Sequence, residues 1–324
     1  MQLPELRAVA IEDYPIQLSP PDISPYRAGN TGIDYVTRFD SGTPGPHVLV
    51  TALVHGNELC GAIALDFLLR SGVRPRRGVL TLAFCNVAAF ATFNRANPTA
   101  SRYLDEDFNR VWSPEVLDGK RRSVELARAR ELRPVVDAAD FVLDIHSMQH
   151  ATPPLMLCGP LDKGRAFARE VGYPEIVVSD SGHAAGRRMR DYGAFGDPTS
   201  PKNALLVECG QHWDASSAEV AKEVLLRFLM RFDMLDDAFI RAHLAGPAPK
   251  QRLIEVTDAV TIRSDQFTFT DDYVGLEVIP EGGTEIGRDG DRPVRTPYDN
   301  CVLIMPSRRL AKGQTAVRLG RFIG

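Results

Sequence analysis

From residue 47 to about residue 234, short apolar runs rich in β-branched residues alternate with amphipathic stretches, the pattern of a largely buried sheet covered by helices. The runs VLVTAL (48–53), VLTLAF (79–84), FVLDIH (141–146), PLMLC (154–158), EIVVS (175–179) and ALLVEC (204–209) read as strands. Segments 58–70, 87–94, 123–137, 163–171 and 217–233 each carry a polar face and read as helices. Residues 1–45, rich in Pro and Gly with weak periodicity, are expected to form a leading arm or a short hairpin without chemistry. After 46–245, the stretch GPAPKQ (246–251) reads as a linker. The remainder, 250–324, has turn signals at EGG (281–283), RDGD (288–291) and TPYDN (296–300), and reads as a small all-β domain.

Composition narrows this picture mainly by exclusion. With 324 residues, 44% hydrophobic and 25% charged, the chain is not a candidate for disorder and has the length for about two domains. A net charge of -4, from 38 basic and 42 acidic residues, sets up no field for nucleic acid or anionic membrane, so neither is an expected partner. Glu5 and Glu12 stand where a signal peptide would need a basic start and an apolar stretch. The most hydrophobic region is broken by His55, Asn57, Glu58 and Asp66, short of the roughly 18 apolar residues of a membrane span. Five cysteines without a C-x-x-C pair read as reduced, packed thiols, so the expectation is a cytoplasmic protein whose metal site, if any, uses His and carboxylates.

Four places carry candidate chemistry. His55-Gly56-Asn57-Glu58 follows a strand and opens a helix, so His55 and Glu58 can face one point. Seven His and 42 acidic residues make about one such pair by chance, and a helix N-terminus with Glu58 on its dipole is the plain alternative. Asp144 and His146, two apart at the end of FVLDIH, point the same way at the carboxyl edge where open α/β sheets place their sites. A salt-bridged strand end is the alternative there. Glu208 ends another apolar strand, where a carboxylate is costly without a partner or a task, such as general base. The polar run 101–112 offers Arg102, Asn109 and Arg110, guanidinium groups suited to carboxylates and developing oxyanions, against a solvated loop with internal Arg–Asp pairs. G-x-S-x-G, H-E-x-x-H, G-x-x-x-x-G-K-[ST] and G-x-G-x-x-G are all absent. His47, His150, His183, His212 and His243 read as surface or supporting residues.

Taken together, HGNE (55–58), SRYLDEDFNR (101–110), DIHS (144–147) and VECG (207–210) resemble, in this order, the succinylglutamate desuccinylase/aspartoacylase family of zinc carboxypeptidase-like proteins, over about 47–240. The resemblance implies a three-layer α/β sandwich with a mixed central sheet, plus the small C-terminal all-β domain. It makes His55, Glu58 and His146 the ligands of one Zn²⁺ per chain, Glu208 the general base, Arg102 the carbonyl-polarising group, and Asn109 with Arg110 the carboxylate clamp. Asp144, on the strand face of His146, would orient that imidazole. The implied activity is hydrolysis of a small N-acyl amino acid by water, with Glu208 as proton carrier. A metallocarboxypeptidase acting on short peptides, or a non-catalytic small-molecule binder, are the competing readings.

The resemblance is incomplete at one point. Aspartoacylases hold a second substrate carboxylate with an arginine ten residues before the catalytic glutamate, where this chain has Pro198. Lys202, Arg187, Arg188 or Arg190 are candidate replacements. Alternatively, Asp191 or Asp197 would meet a cationic side chain. The substrate side chain therefore stays open. So do the part played by Tyr298 in the tail, expected to pack on its own domain, and any pairing of tail edge strands between subunits.

Overall fold

The computed structural model describes residues 14–182 and 185–323. His183 and residues 1–13, with Glu5 and Glu12, lie outside them. In chain order the elements are β1 (Val36–Asp40), β2 (His47–Ala52), α1 (Leu59–Arg70), β3 (Val79–Phe84), α2 (Val87–Phe90), α3 (Pro114–Leu117), α4 (Val124–Ala138) and β4 (Phe141–Met148). There follow β5 (Leu155–Leu157), α5 (Asp162–Val171), β6 (Ile176–Ser179), β7 (Asn203–Gln211), α6 (Ala215–Arg231) and α7 (Asp237–His243). The tail adds β8 (Arg252–Thr261), β9 (Phe267–Phe269), β10 (Glu277–Ile279), β11 (Glu285–Asp289), β12 (Arg292–Arg295), β13 (Cys301–Ile304) and β14 (Thr315–Ile323). Among the described residues no helix is long and apolar enough to cross a membrane.

The strands β2, β4 and β7 are nearly continuous apolar runs because both of their faces are covered. Period-two alternation sorts their side chains. Val48, Val50, Leu143, Ile145, Leu205 and Val207 pack with α1, α5 and α6 on one face, while Leu49, Val142 and Ala204 pack with Leu126, Ala129 and Leu132 of α4 on the other. Three layers result, as the resemblance implied. Neighbouring strands run in the order β1-β3-β2-β4-β7-β5-β6-β8-β14-β13-β10, with β12-β11-β9 as a separate small sheet. The large sheet is mixed: β3, β2, β4 and β7 are parallel, β5 runs against β7, and β1 runs against β3.

Two features lay outside the expected pattern. Residues 36–40 pair with β3 as an edge strand rather than forming a hairpin of their own; VTRFD buries only Val36, too little to register as a strand in sequence. The tail is also joined to the large sheet, since β8 pairs in parallel with β6 and β14 pairs with β8. A shared apolar cluster of Leu206, Val178, Ile254, Val302 and Ile304 seals that junction.

Candidate active site

Parallel neighbours β2, β4 and β7 end side by side, and the candidate residues leave from those ends. After β2 the chain turns sharply: Leu53 adopts φ 58°, a strained value for a branched residue. It is held there by Asn86 N donating to Leu53 O at 2.7 Å. His55 follows, and Glu58 occupies the position that caps α1. Between them, a Cβ on Gly56 would strike the backbone at Phe90 N and Ser101 O. Only glycine lets this loop approach so closely, and its N–H donates to Arg102 O at 3.1 Å. Backbone thus ties the His55 loop to the Arg102 loop.

The three candidate metal ligands converge. Side-chain donor atoms of His55, Glu58 and His146 all lie within 4.8 Å of one another, and all three residues are buried. Glu58 Oε1 is 2.7 Å from His55 Nδ1, and Oε2 is 2.9 Å from His146 Nδ1 without hydrogen-bond alignment. Each imidazole is backed through its other nitrogen: Asp107 Oδ1 lies 3.0 Å from His55 Nε2, and Asp144 Oδ2 lies 2.8 Å from His146 Nε2. Asp144 is itself fixed by the Thr51 hydroxyl, which donates to Oδ1 at 2.7 Å. Burial opposes a charged His146, yet Asp144 and Glu58 raise its pKa well above the usual imidazole range. The spot therefore attracts a cation, and two imidazoles with a carboxylate are a donor set that suits Zn²⁺.

Glu208 is the register partner of His146 across β4 and β7, on the same strand face. Its Oε2 is buried without a hydrogen bond. Burial, reinforced by the charge of Glu58 and opposed by His146 and Arg102, pushes its carboxyl up to about 8. Arg102 is half-buried and reaches Asp107 Oδ2 at 3.0 Å and Glu58 Oε1 at 3.6 Å. The loop that carries it is built on Glu125, whose carboxylate accepts from the backbone N–H groups of Leu104, Asp105 and Glu106 at 2.7–3.2 Å. Arg110 lines the same cavity as Arg102. Asn109 is not among the lining residues; its Oδ1 accepts from Met189 N at 2.9 Å, which secures the turn below Arg110.

His55, Glu58, Arg102, Asp107, Arg110 and Glu208 border a cavity of about 450 Å³ whose far wall is the tail, through Tyr273–Gly275, Met305–Arg309 and Arg318. A tail that narrows the entrance is what the resemblance implied, but sequence reasoning named none of these lining residues. Tyr298 is not part of it and bonds Thr257 Oγ1 at 2.6 Å within the tail. None of the candidate replacements for the missing arginine lines this cavity. Lys202 Nζ donates to Asp137 O at 2.6 Å, and Arg188 is clamped to Asp180 and Asp191. Nor does the cavity meet Asp191 or Asp197. Two further lining residues form a pair without a motif to announce them: Ser147 Oγ lies 2.8 Å from His212 Nδ1. Burial pushes His212 down to about 3, so its imidazole is neutral and too weak a base to activate the hydroxyl.

The comparisons with known proteins agree with this geometry. The succinylglutamate desuccinylase/aspartoacylase catalytic domain matches residues 44–230. Succinylglutamate desuccinylase of Vibrio cholerae serotype O1 is 23% identical over 296 residues, covering 83% of this chain and 79% of its own length. Aspartoacylase of Mus musculus is 34% identical over 102 residues, and that match takes in 29% of this chain and 31% of the mouse protein, under a third of its length. The crystal structure of succinylglutamate desuccinylase from Vibrio cholerae shares the fold with a TM-score of 0.64 at 18% identity, covering 89% of this chain and 86% of that one.

Proposed function

The chain belongs to the succinylglutamate desuccinylase/aspartoacylase family, hydrolases of N-acyl amino acids, and on that premise we propose that it is a zinc-dependent deacylase of a small N-acyl amino acid. The observation that carries the reading is the convergence of His55, Glu58 and His146, backed by Asp107 and Asp144, at a cavity that His55, Glu58, Arg102 and Glu208 line. A zinc ion held by His55, Glu58 and His146 supplies Lewis acidity, bringing the pKa of a water down toward about 7.

This chain's own residues do the rest. Arg110, on the turn secured by Asn109, holds the substrate carboxylate and so places the amide. Arg102 faces the carbonyl and stabilises the negative charge that develops on its oxygen, from a half-buried position at the cavity wall where fixed positive charge is worth more than in water. Glu208 takes the proton of the attacking water and passes it to the leaving amine; a carboxyl that titrates near neutrality can both accept and return a proton. Residues 46–245 would form the catalytic domain and 250–324 the wall that limits substrate length, which favours an acyl amino acid over a longer peptide.

The test is metal analysis of the purified chain, followed by a screen of N-acetyl and N-succinyl amino acids beside blocked dipeptides. The expected result is about one zinc per chain and amine release from acyl amino acids. A protein that takes up no metal overturns the reading in favour of a binder. Turnover of dipeptides alone overturns it in favour of a carboxypeptidase.

A further inference from the structure

Two buried polar residues of the cavity wall, Ser147 and His212, have no part in the steps assigned to Glu208, Arg102 and Arg110. Ser147 stands near the end of β4 and His212 directly follows β7. The backbone fixes them to each other: His212 N donates to Met148 O at 2.8 Å, and Trp213 packs on the imidazole with ring centroids 5.8 Å apart. Ser147 Oγ lies 2.8 Å from His212 Nδ1, its one hydrogen-bond partner among the described residues. A buried hydroxyl with a single partner satisfies its proton by donating to it, which assigns the imidazole proton to Nε2. Nε2 is itself buried and has no hydrogen-bond partner among the described residues, a costly state for a donor unless a ligand answers it. Burial keeps the ring neutral, and the charges that bear on it are those of Glu58, Arg102, His55 and Arg309. The orphaned donor therefore stands among two candidate metal ligands and the arginine that polarises the carbonyl. A neutral imidazole can polarise a carbonyl by donation, without setting a further positive charge beside Arg102.

Resting on the deacylase reading, we propose that His212 is a further catalytic residue, whose Nε2–H donates a hydrogen bond to the acyl carbonyl oxygen beside Arg102, and that Ser147 is the positioning residue that fixes the donating tautomer. The imidazole keeps its proton throughout, and proton transfer stays with Glu208. A hydrogen bond to that oxygen strengthens as negative charge develops on it, so the donor acts on kcat rather than on KM.

Steady-state kinetics of the zinc-loaded full chain, on the acyl amino acid that the wild type hydrolyses best, test this. His212→Leu is expected to lower kcat by about 10²–10³, the scale of one oxyanion donor, with KM and zinc content unchanged. His212→Gln, whose amide nitrogen can stand where Nε2 stands, is expected to recover a large part of that loss. Ser147→Ala is expected to lower kcat by less than His212→Leu, again without change in KM. A leucine variant with kcat near the wild-type value, a glutamine variant no better than the leucine one, or a loss that falls on KM overturns the proposal. Calorimetry with two analogues of N-acetyl-L-alanine reads the same donor without turnover: N-(methylphosphonyl)-L-alanine, tetrahedral with anionic oxygens, and N-(methylsulfonyl)-L-alanine, of the same shape with neutral ones. The wild type is expected to prefer the phosphonyl compound, and His212→Leu to reduce that preference about 10- to 100-fold, the worth of a hydrogen bond to a charged group. Should the leucine variant not fold, Ser147→Ala is expected to reduce the preference in its place. That result supports the donor even where no amide is hydrolysed, an outcome that would sink the deacylase reading alone. Equal binding of the two compounds by the wild type, or a preference that the folded variants retain in full, overturns the donor.

Discussion

Two buried clusters of charge lie within this fold, and they are built to opposite ends. Around Asp180, every oxygen is answered: Arg188 donates to Asp180 Oδ1 at 2.7 Å and Oδ2 at 3.1 Å, and to Asp191 Oδ2 at 2.6 Å. Burial works to raise both carboxyls, but Arg188 outweighs it and both end below the ordinary carboxylate range. Around Glu58, by contrast, Glu208 Oε2 has no hydrogen bond, and the Glu208 carboxyl rises to about 8 beside a cavity. Glu58 Oε2 and His146 Nδ1 lie 2.9 Å apart without hydrogen-bond alignment. The closed cluster spends its charges on holding loops together. The open one keeps a carboxyl poised near neutrality, which is what proton transfer requires.

Glu208→Gln is the sharpest test of that contrast. It is expected to leave metal content unchanged and lower kcat by about 10²–10⁴, the usual scale of general acid–base catalysis. Near-normal turnover with bound metal would remove Glu208 from the chemistry. Arg188→Gln should do the reverse. Leaving Asp180 and Asp191 buried without their main partner costs about 3–5 kcal/mol of stability, read as a shift of the denaturant midpoint, while kcat per folded molecule stays near the wild-type value. A large fall in kcat without loss of stability would show that the second cluster also serves the reaction. Asp144→Asn sits between the two in kind, because Asp144 is closed on one side by Thr51 and backs a ligand on the other. Zinc affinity is expected to fall about 10–100-fold in competition with a chelator, with little change in fold.

The same contrast explains how much the sequence disclosed. Residues of the open cluster stand at the ends of apolar runs, where a His, Asp or Glu is conspicuous, so His55, Glu58, Asp144, His146 and Glu208 were legible. Their strand registry, Thr51 beside Asp144 and His146 beside Glu208, came only with the parallel pairing seen in the structure. What escaped were partners brought from far along the chain. Glu125 folds the Arg102 loop from 19–21 residues away, and His212 meets Ser147 across 65. The tail arginines carried no motif, because a wall needs only a charge in the right place. Nor could local pattern show that β8 would extend the sheet at β6, since an edge pairing is fixed by tertiary packing rather than by anything in the strand itself.

Acid and base should act on the two clusters with opposite sign, and this is the finest test. For Asp180, burial raises and Arg188 lowers the pKa, and the folded value ends below the ordinary 3.8. Its stabilising contribution is therefore complete above pH 3.8 and lost as pH falls through the folded value, where the native state must take up a proton. For Glu208 in chelator-treated protein the folded value, about 8, lies above the ordinary 4.5. Between these two the native state keeps a proton that the unfolded chain has released, so stability declines as pH rises. Replacing each carboxylate by its amide removes the titrating group. Asp180→Asn should then destabilise the chelator-treated protein at pH 5 and at pH 8, whereas Glu208→Gln should flatten its decline and make it more stable than the wild type at pH 8. A difference of about 1 kcal/mol, less than the worth of one pKa unit, is enough to read the sign from denaturant midpoints at the two pH values. If both variants lose stability alike at pH 8, Glu208 is held as a closed ion pair, and the distinction between the two clusters fails at its central residue.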